Sequence, residues 1–239
     1  MADLRLLLLL VAVDLASKLA ALAFLPSGAP VNYDATFQFV LSPNLVGMGT
    51  WGKAAMRYSS PPDMMAGAVA NIGLAISLMV VRTRHYKHWR KVAVCLGGLT
   101  VGAVLGMAMA PALLSLPAPL QVIVLRGAGV FAVVVIWRLV PRGVWKLSLT
   151  LLAAAAIGNA LSLLYPPFMI VDFMYSRLAA MTLYYGVFNV ADLYIPVGWA
   201  LVAVAAIASI ARAIRRSYSA RHRARYTASA GGSTPVGLG

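Results

Sequence analysis

Residues 92–113 read VAVCLGGLTVGAVLGMAMAPAL, a run of small and apolar letters with no charged side chain. About 20 such residues are what an α-helix needs to cross the hydrocarbon core of a bilayer. Working outward from it, comparable runs occupy about 4–25, 64–81, 119–138, 145–165 and 192–211. Prolines punctuate the gaps: Pro26, Pro30, Pro61, Pro62, Pro111, Pro117, Pro119, Pro141, Pro166 and Pro167. Proline lacks the backbone N–H and clashes with the preceding turn, so it marks helix ends independently of hydropathy. The expected fold class is an all-α polytopic membrane protein of about six transmembrane helices, with a small extracytoplasmic segment between helices 1 and 2.

Composition agrees. Of 239 residues, 62% are hydrophobic and 11% charged, whereas a soluble domain has roughly 45–50% apolar and about 25% charged residues. The same apolar excess excludes a disordered chain. A lone Cys95 excludes an internal disulfide framework and a multi-cysteine metal site. Lys and Arg outnumber Asp and Glu 20 to 6, a net charge of +14. Most of the basic residues fall in three clusters: Arg82, Arg84, Lys87, Arg90, Lys91; Arg138, Arg142, Lys146; and Arg212, Arg215, Arg216, Arg221, Arg223, Arg225. Long apolar runs separate them, the pattern of cytoplasmic loops under the positive-inside bias. Anionic lipid headgroups satisfy such clusters without nucleic acid. With the N-terminus inside, six spans put all three clusters and both termini in the cytoplasm. The outer side then receives 26–62, a tight turn near Leu116–Pro119, and 166–190, where the basic residues are Lys53, Arg57 and Arg177. Leu6 to Val13 could also be read as the core of a cleaved secretory signal. The apolar run resumes past Asp14 and Lys18 to Leu25, which favours a span. Residues 1–215 form the expected membrane domain, and 216–239 a basic, disordered cytoplasmic tail.

The chain has no Glu, so its acids are Asp3, Asp14, Asp34, Asp63, Asp172 and Asp192. Asp3 sits at the start, and Asp34 and Asp63 in the polar outer segment, where solvated charge is expected. Asp14 and Lys18 lie mid-span, four residues apart, so they share a helix face with the acid N-terminal to the base. A lone charge at the bilayer centre costs at least ~2.5–3.5 kcal/mol, which pairing reduces. The pair is either a structural ion pair or part of a buried network supporting a site.

Asp172 follows the fifth span at its outer end, and Asp192 opens the sixth. Topology therefore brings two carboxylates to one face at similar depth. Close carboxylates cannot both ionise cheaply and so share a proton. One can then accept a proton from water while the other donates to the scissile amide, chemistry that needs no metal or cofactor. Plainer roles exist for both: Asn189 can cap the sixth helix with Asp192 at its third residue, and Asp172 can be a hydrated loop acid.

Val171-Asp172-Phe173, then Phe188-Asn189-Val190-Ala191-Asp192, then Ile195 and Gly198, resemble the C-terminal signature of signal peptidase II, the lipoprotein signal peptidase family. Gly158-Asn159 lies upstream at a similar distance to the family's, and Asp14-Leu15-Ala16-Ser17-Lys18 is similar to its first-helix element. The resemblance covers roughly 4–65 and 145–211. It implies an aspartic endopeptidase of the bacterial inner membrane that removes signal peptides from diacylglyceryl-modified prolipoproteins, its site at the extracytoplasmic face. Asp172 and Asp192 would be the catalytic pair, with Asn159, Asn189, Asp14, Lys18 and Asn44 as substrate-binding or supporting residues. Membrane lipids and the prolipoprotein are the expected partners. The aromatic Phe168, Phe173, Tyr175, Tyr184, Tyr185, Phe188 and Tyr194 suit an interfacial belt beside such a site.

Three features depart from the family pattern. After Gly158-Asn159 the chain continues Ala160-Leu161-Ser162-Leu163 instead of into an Asp-Arg pair; Arg177 and the intramembrane Arg126 are the basic residues on hand to replace that arginine. The family has four spans, so about 92–138 reads as an inserted hairpin, and an added pair of helices keeps the orientation of everything downstream. The outer-segment Asn motif is loosely matched at Asn44-Leu45-Val46-Gly47, whereas a closer letter match at Asn71 lies inside the second span. Rival readings are a catalytically inactive paralogue that binds lipid or lipoprotein, motivated by the missing arginine, and a small transporter with Asp14, Lys18 and Arg126 along its path. His85, His88 and His222 lack the convergent partners zinc needs. Gly97, Gly98, Gly102 and Gly106 suit close helix packing.

Overall fold

Where the sequence is uninterruptedly apolar, a helix is the way a single segment satisfies its own backbone in lipid. The computed structural model describes residues 2–44, 61–83, 88–140, 143–166, 169–182 and 186–230. In chain order its elements are α1 (Ala2–Phe24), β1 (Phe37–Asn44), α2 (Pro61–Thr83), α3 (His88–Leu114), α4 (Ala118–Leu139) and α5 (Val144–Leu161). A single 3₁₀ turn (Ser162–Leu164), β2 (Ile170–Ser176), α6 (Arg177–Thr182), β3 (Val187–Phe188) and α7 (Val190–Ala230) complete them. Each long helix lies close to an expected span. Among the described residues, four stretches are long and apolar enough to cross a membrane: Asp3–Phe24, Ala93–Leu113, Val144–Leu164 and Val190–Arg212. Val69–Arg82 is a shorter apolar stretch. Leu8 and Leu9, Val104 and Leu105, and Ile207 and Ile210 are exposed on these helices, as lipid-facing surface should be. The chain is a polytopic, mainly helical membrane protein.

Two expectations are corrected. Residues 216–230 are not a disordered tail but the end of α7, which runs to Ala230. Arg and Ala are strong helix formers, and a helix already under way needs no new nucleus. Residues 231–239 lie outside the described residues. Nor is the protein helical throughout: its non-membrane segments build a three-stranded antiparallel sheet in the order β1–β2–β3. β1 pairs with β2 from Phe37↔Ser176 to Asn44↔Ile170 with an irregularity between Phe39 and Ser42. β2 pairs with β3 at Met174↔Phe188 and Tyr175↔Val187. Such short strands depend on partners far along the chain, and Pro43 is tolerated because β1 is an edge strand.

The sheet matters because it fixes Asp172 on its central strand, opposite Ser42. Leu41, Val171 and Phe173 pack with Ala21 of α1 in a small core. Phe173, Tyr175 and Phe188 are accordingly buried, packed inside the protein beside the site instead of standing out as an interfacial belt. Phe168, Tyr184 and Tyr185 lie outside the described residues. A second core joins Leu7 and Val11 of α1, Trp137 of α4, and Ala153 and Ala154 of α5. The small residues of α5, including Ala155 and Gly158, are buried and let α1 and α7 approach its backbone.

α4 and α5 form a hairpin pinned where the Trp137 indole N–H donates to Thr150 Oγ1 at 2.9 Å. Lys146 closes the same end: its ammonium donates to the Trp137 carbonyl and lies 4.0 Å from the Trp137 ring centroid. α2 and α3 form a second hairpin in which a Cβ at Gly98 would overlap the Ser77 hydroxyl and the Gly73 carbonyl. This hairpin meets the rest of the molecule mainly through α2 against α4, where Arg82 donates to the Leu139 carbonyl at 2.9 Å.

Candidate active site

The N-terminus of α7 explains why two of the singled-out residues sit together. Asn189 precedes the helix, and its Oδ1 accepts the Asp192 N–H at 3.2 Å. The Asp192 carboxylate accepts the Asn189 N–H in return, at 3.1 Å. This is a reciprocal capping box, so the capping role considered from sequence is present. It occupies one oxygen of Asp192, and the other accepts from Asn159 Nδ2 at 3.2 Å.

The first turn of α7 still has an N–H that the box leaves open, that of Ala191. It donates to Asp14 Oδ1 of α1 at 2.8 Å, an anion at the positive end of a helix. Asp14 Oδ2 accepts from Lys18 Nζ at 2.7 Å. The approach needs Gly158: a Cβ there would overlap the Asp14 carboxylate. The glycine in Gly158-Asn159 therefore makes space for the acid from α1, while the asparagine turns to the site. Asp14 and Lys18 are both fully buried.

Lys18 also donates to Asn159 Oδ1 at 2.8 Å. An ammonium has only donors, so it fixes which end of Asn159 faces it and leaves the amide N–H₂ to point at Asp192. Asn189 Nδ2 donates to Asp172 Oδ1 at 2.7 Å and to Asn159 Oδ1 at 3.1 Å. One residue thus binds both carboxylates, Asp172 through its side-chain amide and Asp192 through its backbone. Asp172 and Asn159 are 4% exposed and Asn189 is fully buried, while Asp192 is half-buried. The network has one direction: donors start at Lys18 and acceptors end at the two aspartates. The arrangement ties two carboxylates to one asparagine in a largely buried, pre-oriented setting.

Of the residues singled out from sequence, Asp14, Lys18, Asn159, Asp172, Asn189 and Asp192 meet in this network. The Asn44 backbone closes β1 opposite Ile170, and its side chain lies outside the described residues. Asn71 instead donates to the Gly67 carbonyl of its own helix at 2.9 Å. Arg177 is exposed at the start of α6. Sequence reasoning missed the Ala191 N–H; the cap at Asn189 was the signal for it, because a capped helix still has first-turn N–H groups in need of acceptors.

The family model described as signal peptidase (SPase) II matches residues 101–208, a stretch that contains Asn159, Asp172, Asn189 and Asp192. No curated protein matches the chain, and no solved structure does. Asp14 and Lys18 lie before the matched stretch but are tied to it by direct hydrogen bonds to Ala191 and Asn159. Over residues 101–208, the chain is thus similar to the signal peptidase II family.

Proposed function

We propose that the protein is an aspartic endopeptidase that cleaves signal peptides from diacylglyceryl-modified prolipoproteins, with Asp172 and Asp192 as its catalytic pair. The observation that carries this reading is Asn189, which hydrogen-bonds both carboxylates. In the resting site one acid is ionised and the other protonated. The ionised carboxylate takes a proton from water as the water oxygen bonds to the scissile carbonyl carbon. The protonated acid then donates to the leaving amide nitrogen as the C–N bond breaks. The proton left on the first acid restores the shared state.

The site lies at the end of α5 and the start of α7, next to the sheet, and away from the basic ends of α4, α5 and α7. Basic clusters favour the cytoplasm, which supports an inner-membrane protein with both termini inside and the site at the extracytoplasmic face. Substrate then arrives laterally through lipid. The added hairpin, expected at 92–138, fits better as α2–α3. The family match begins within α3, at residue 101, and takes in all of α4; α4 packs on α5 beside the site, whereas α3 packs chiefly on α2.

The test is reconstitution of the full chain with a diacylglyceryl prolipoprotein. Cleavage by the wild type that Asp172→Asn and Asp192→Asn both abolish supports the peptidase. Retained binding without cleavage supports the inactive paralogue that the Ala160-Leu161-Ser162-Leu163 run suggests. Normal cleavage by either Asn variant removes the assigned pair.

A further inference from the structure

Arg126 lies on α4, and the hairpin geometry fixes its level. Trp137 donates to Thr150 across the antiparallel α4–α5 pair. Eleven residues back along α4 from Trp137 is Arg126, and eleven residues on from Thr150 is Leu161. Both steps span about 16 Å at 1.5 Å per residue, so Arg126 stands level with Asn159–Leu161. Eleven residues are also close to three full turns. Arg126, Val130, Val133 and Trp137 therefore form one stripe, and Val133 and Trp137 of that stripe pack in the core shared with α5 and α1. Arg126 is half-buried and attracted electrostatically by both Asp192 and Asp172.

Charge balance gives that placement a purpose. Lys18 neutralises Asp14 through a direct contact at 2.7 Å. A pair holding one proton keeps one negative charge, which is costly in an apolar setting without a counter-charge. We infer that Arg126 is a positioning residue, the counter-ion that stabilises the singly protonated Asp172–Asp192 pair and keeps its base ionised. The inference rests on the proposed proton-sharing pair and extends it to a residue outside the motif run.

Among the described residues, the charged groups around the pair are Asp14 and Lys18 from α1 and Arg126 from α4. α5 brings Asn159 at this level and Lys146 only at its far end, β2 brings Tyr175, and α7 brings Tyr194. On α2, which runs parallel to α4 with Arg82 beside Leu139, Asp63 stands in the first turn, about 9 Å outward of the Arg126 level. The outer part of α3 has no charged residue.

The experiment is an infrared pH titration of carboxylic-acid C=O absorption, on the full chain in lipid nanodiscs, using wild type, Arg126→Gln, Arg126→Met and Arg126→Lys. Asp172→Asn and Asp192→Asn identify the band. Removing a positive neighbour disfavours the ionised base, so the Gln and Met variants move the midpoint up by at least about one pH unit, and Lys restores it. In parallel, cleavage of a diacylglyceryl prolipoprotein by Arg126→Gln falls about tenfold near pH 6 but less than about threefold near pH 8. The use of two neutral variants covers a failure of either to fold. An unmoved midpoint, or equal shifts for Gln, Met and Lys, overturns the counter-ion while leaving the catalytic pair intact. A band insensitive to both Asn variants overturns the shared proton itself, and the counter-ion with it.

Discussion

Replacing Lys18 by Met keeps the length and apolar stem of the side chain and removes the charge. Two hydrogen bonds disappear, to Asp14 Oδ2 at 2.7 Å and to Asn159 Oδ1 at 2.8 Å. Charge-assisted bonds contribute about 1.5–3 kcal/mol each, so direct loss alone amounts to roughly 3–6 kcal/mol. The Asp14 carboxylate is then fully buried with the Ala191 N–H still donating to it but no cation. Removing one partner of a buried pair typically costs about 3–5 kcal/mol, in agreement with the first figure. A drop of about 4 kcal/mol is a large part of the ~5–15 kcal/mol that holds a protein folded. Adding Asp14→Asn removes the stranded charge and keeps an oxygen for the Ala191 N–H, so the double variant regains at least about 2 kcal/mol through coupling. Equilibrium unfolding in detergent micelles measures both variants. A Lys18→Met protein within about 1 kcal/mol of wild type, or a double variant no better than the single, refutes the reading of Lys18 as the buried cation on which the network depends.

Asp192→Asn keeps an acceptor for the Asn189 N–H, so unfolding stability stays within about 1 kcal/mol while prolipoprotein cleavage is abolished; Asp192→Ala also loses the cap and drops a further ~1 kcal/mol. Gly158→Ala puts a methyl against the Asp14 carboxylate, and overpacking of this kind costs about 1–3 kcal/mol; stability and cleavage both fall, and unchanged values in thermal unfolding and cleavage assays refute the close approach. Gly98→Val forces α2 and α3 apart, with a similar stability loss of about 1–3 kcal/mol. Because that hairpin lies outside the network, the folded fraction of Gly98→Val cleaves at the wild-type rate; a loss of turnover per folded molecule contradicts its peripheral place.

The helical membrane body was legible because apolar runs and prolines act locally. Residues 92–113 declare a span whatever surrounds them, and the gaps carry their own helix breakers. Asp14, Lys18, Asn159, Asp172, Asn189 and Asp192 could be singled out because polar groups are costly at their depth or match a family motif. The sheet was not legible: Phe37–Asn44 has neither clean alternation nor a local hairpin turn, and it is a strand only because Ile170–Ser176 arrives beside it. The helical end of α7 was misread because Arg-rich sequence suits a solvated tail and a continuing helix equally well. The space made by Gly158 was invisible, since a glycine in an apolar helix says nothing about which side chain will occupy the gap.

The bond between Asp14 and the Ala191 N–H joins positions 177 residues apart, so the buried acid of α1 waits for the start of α7. A truncated chain that stops before Val190 lacks Asp192 and leaves the buried acid of α1 without its helix end. Synthesis itself thus leaves the buried polar network open until α7 is delivered.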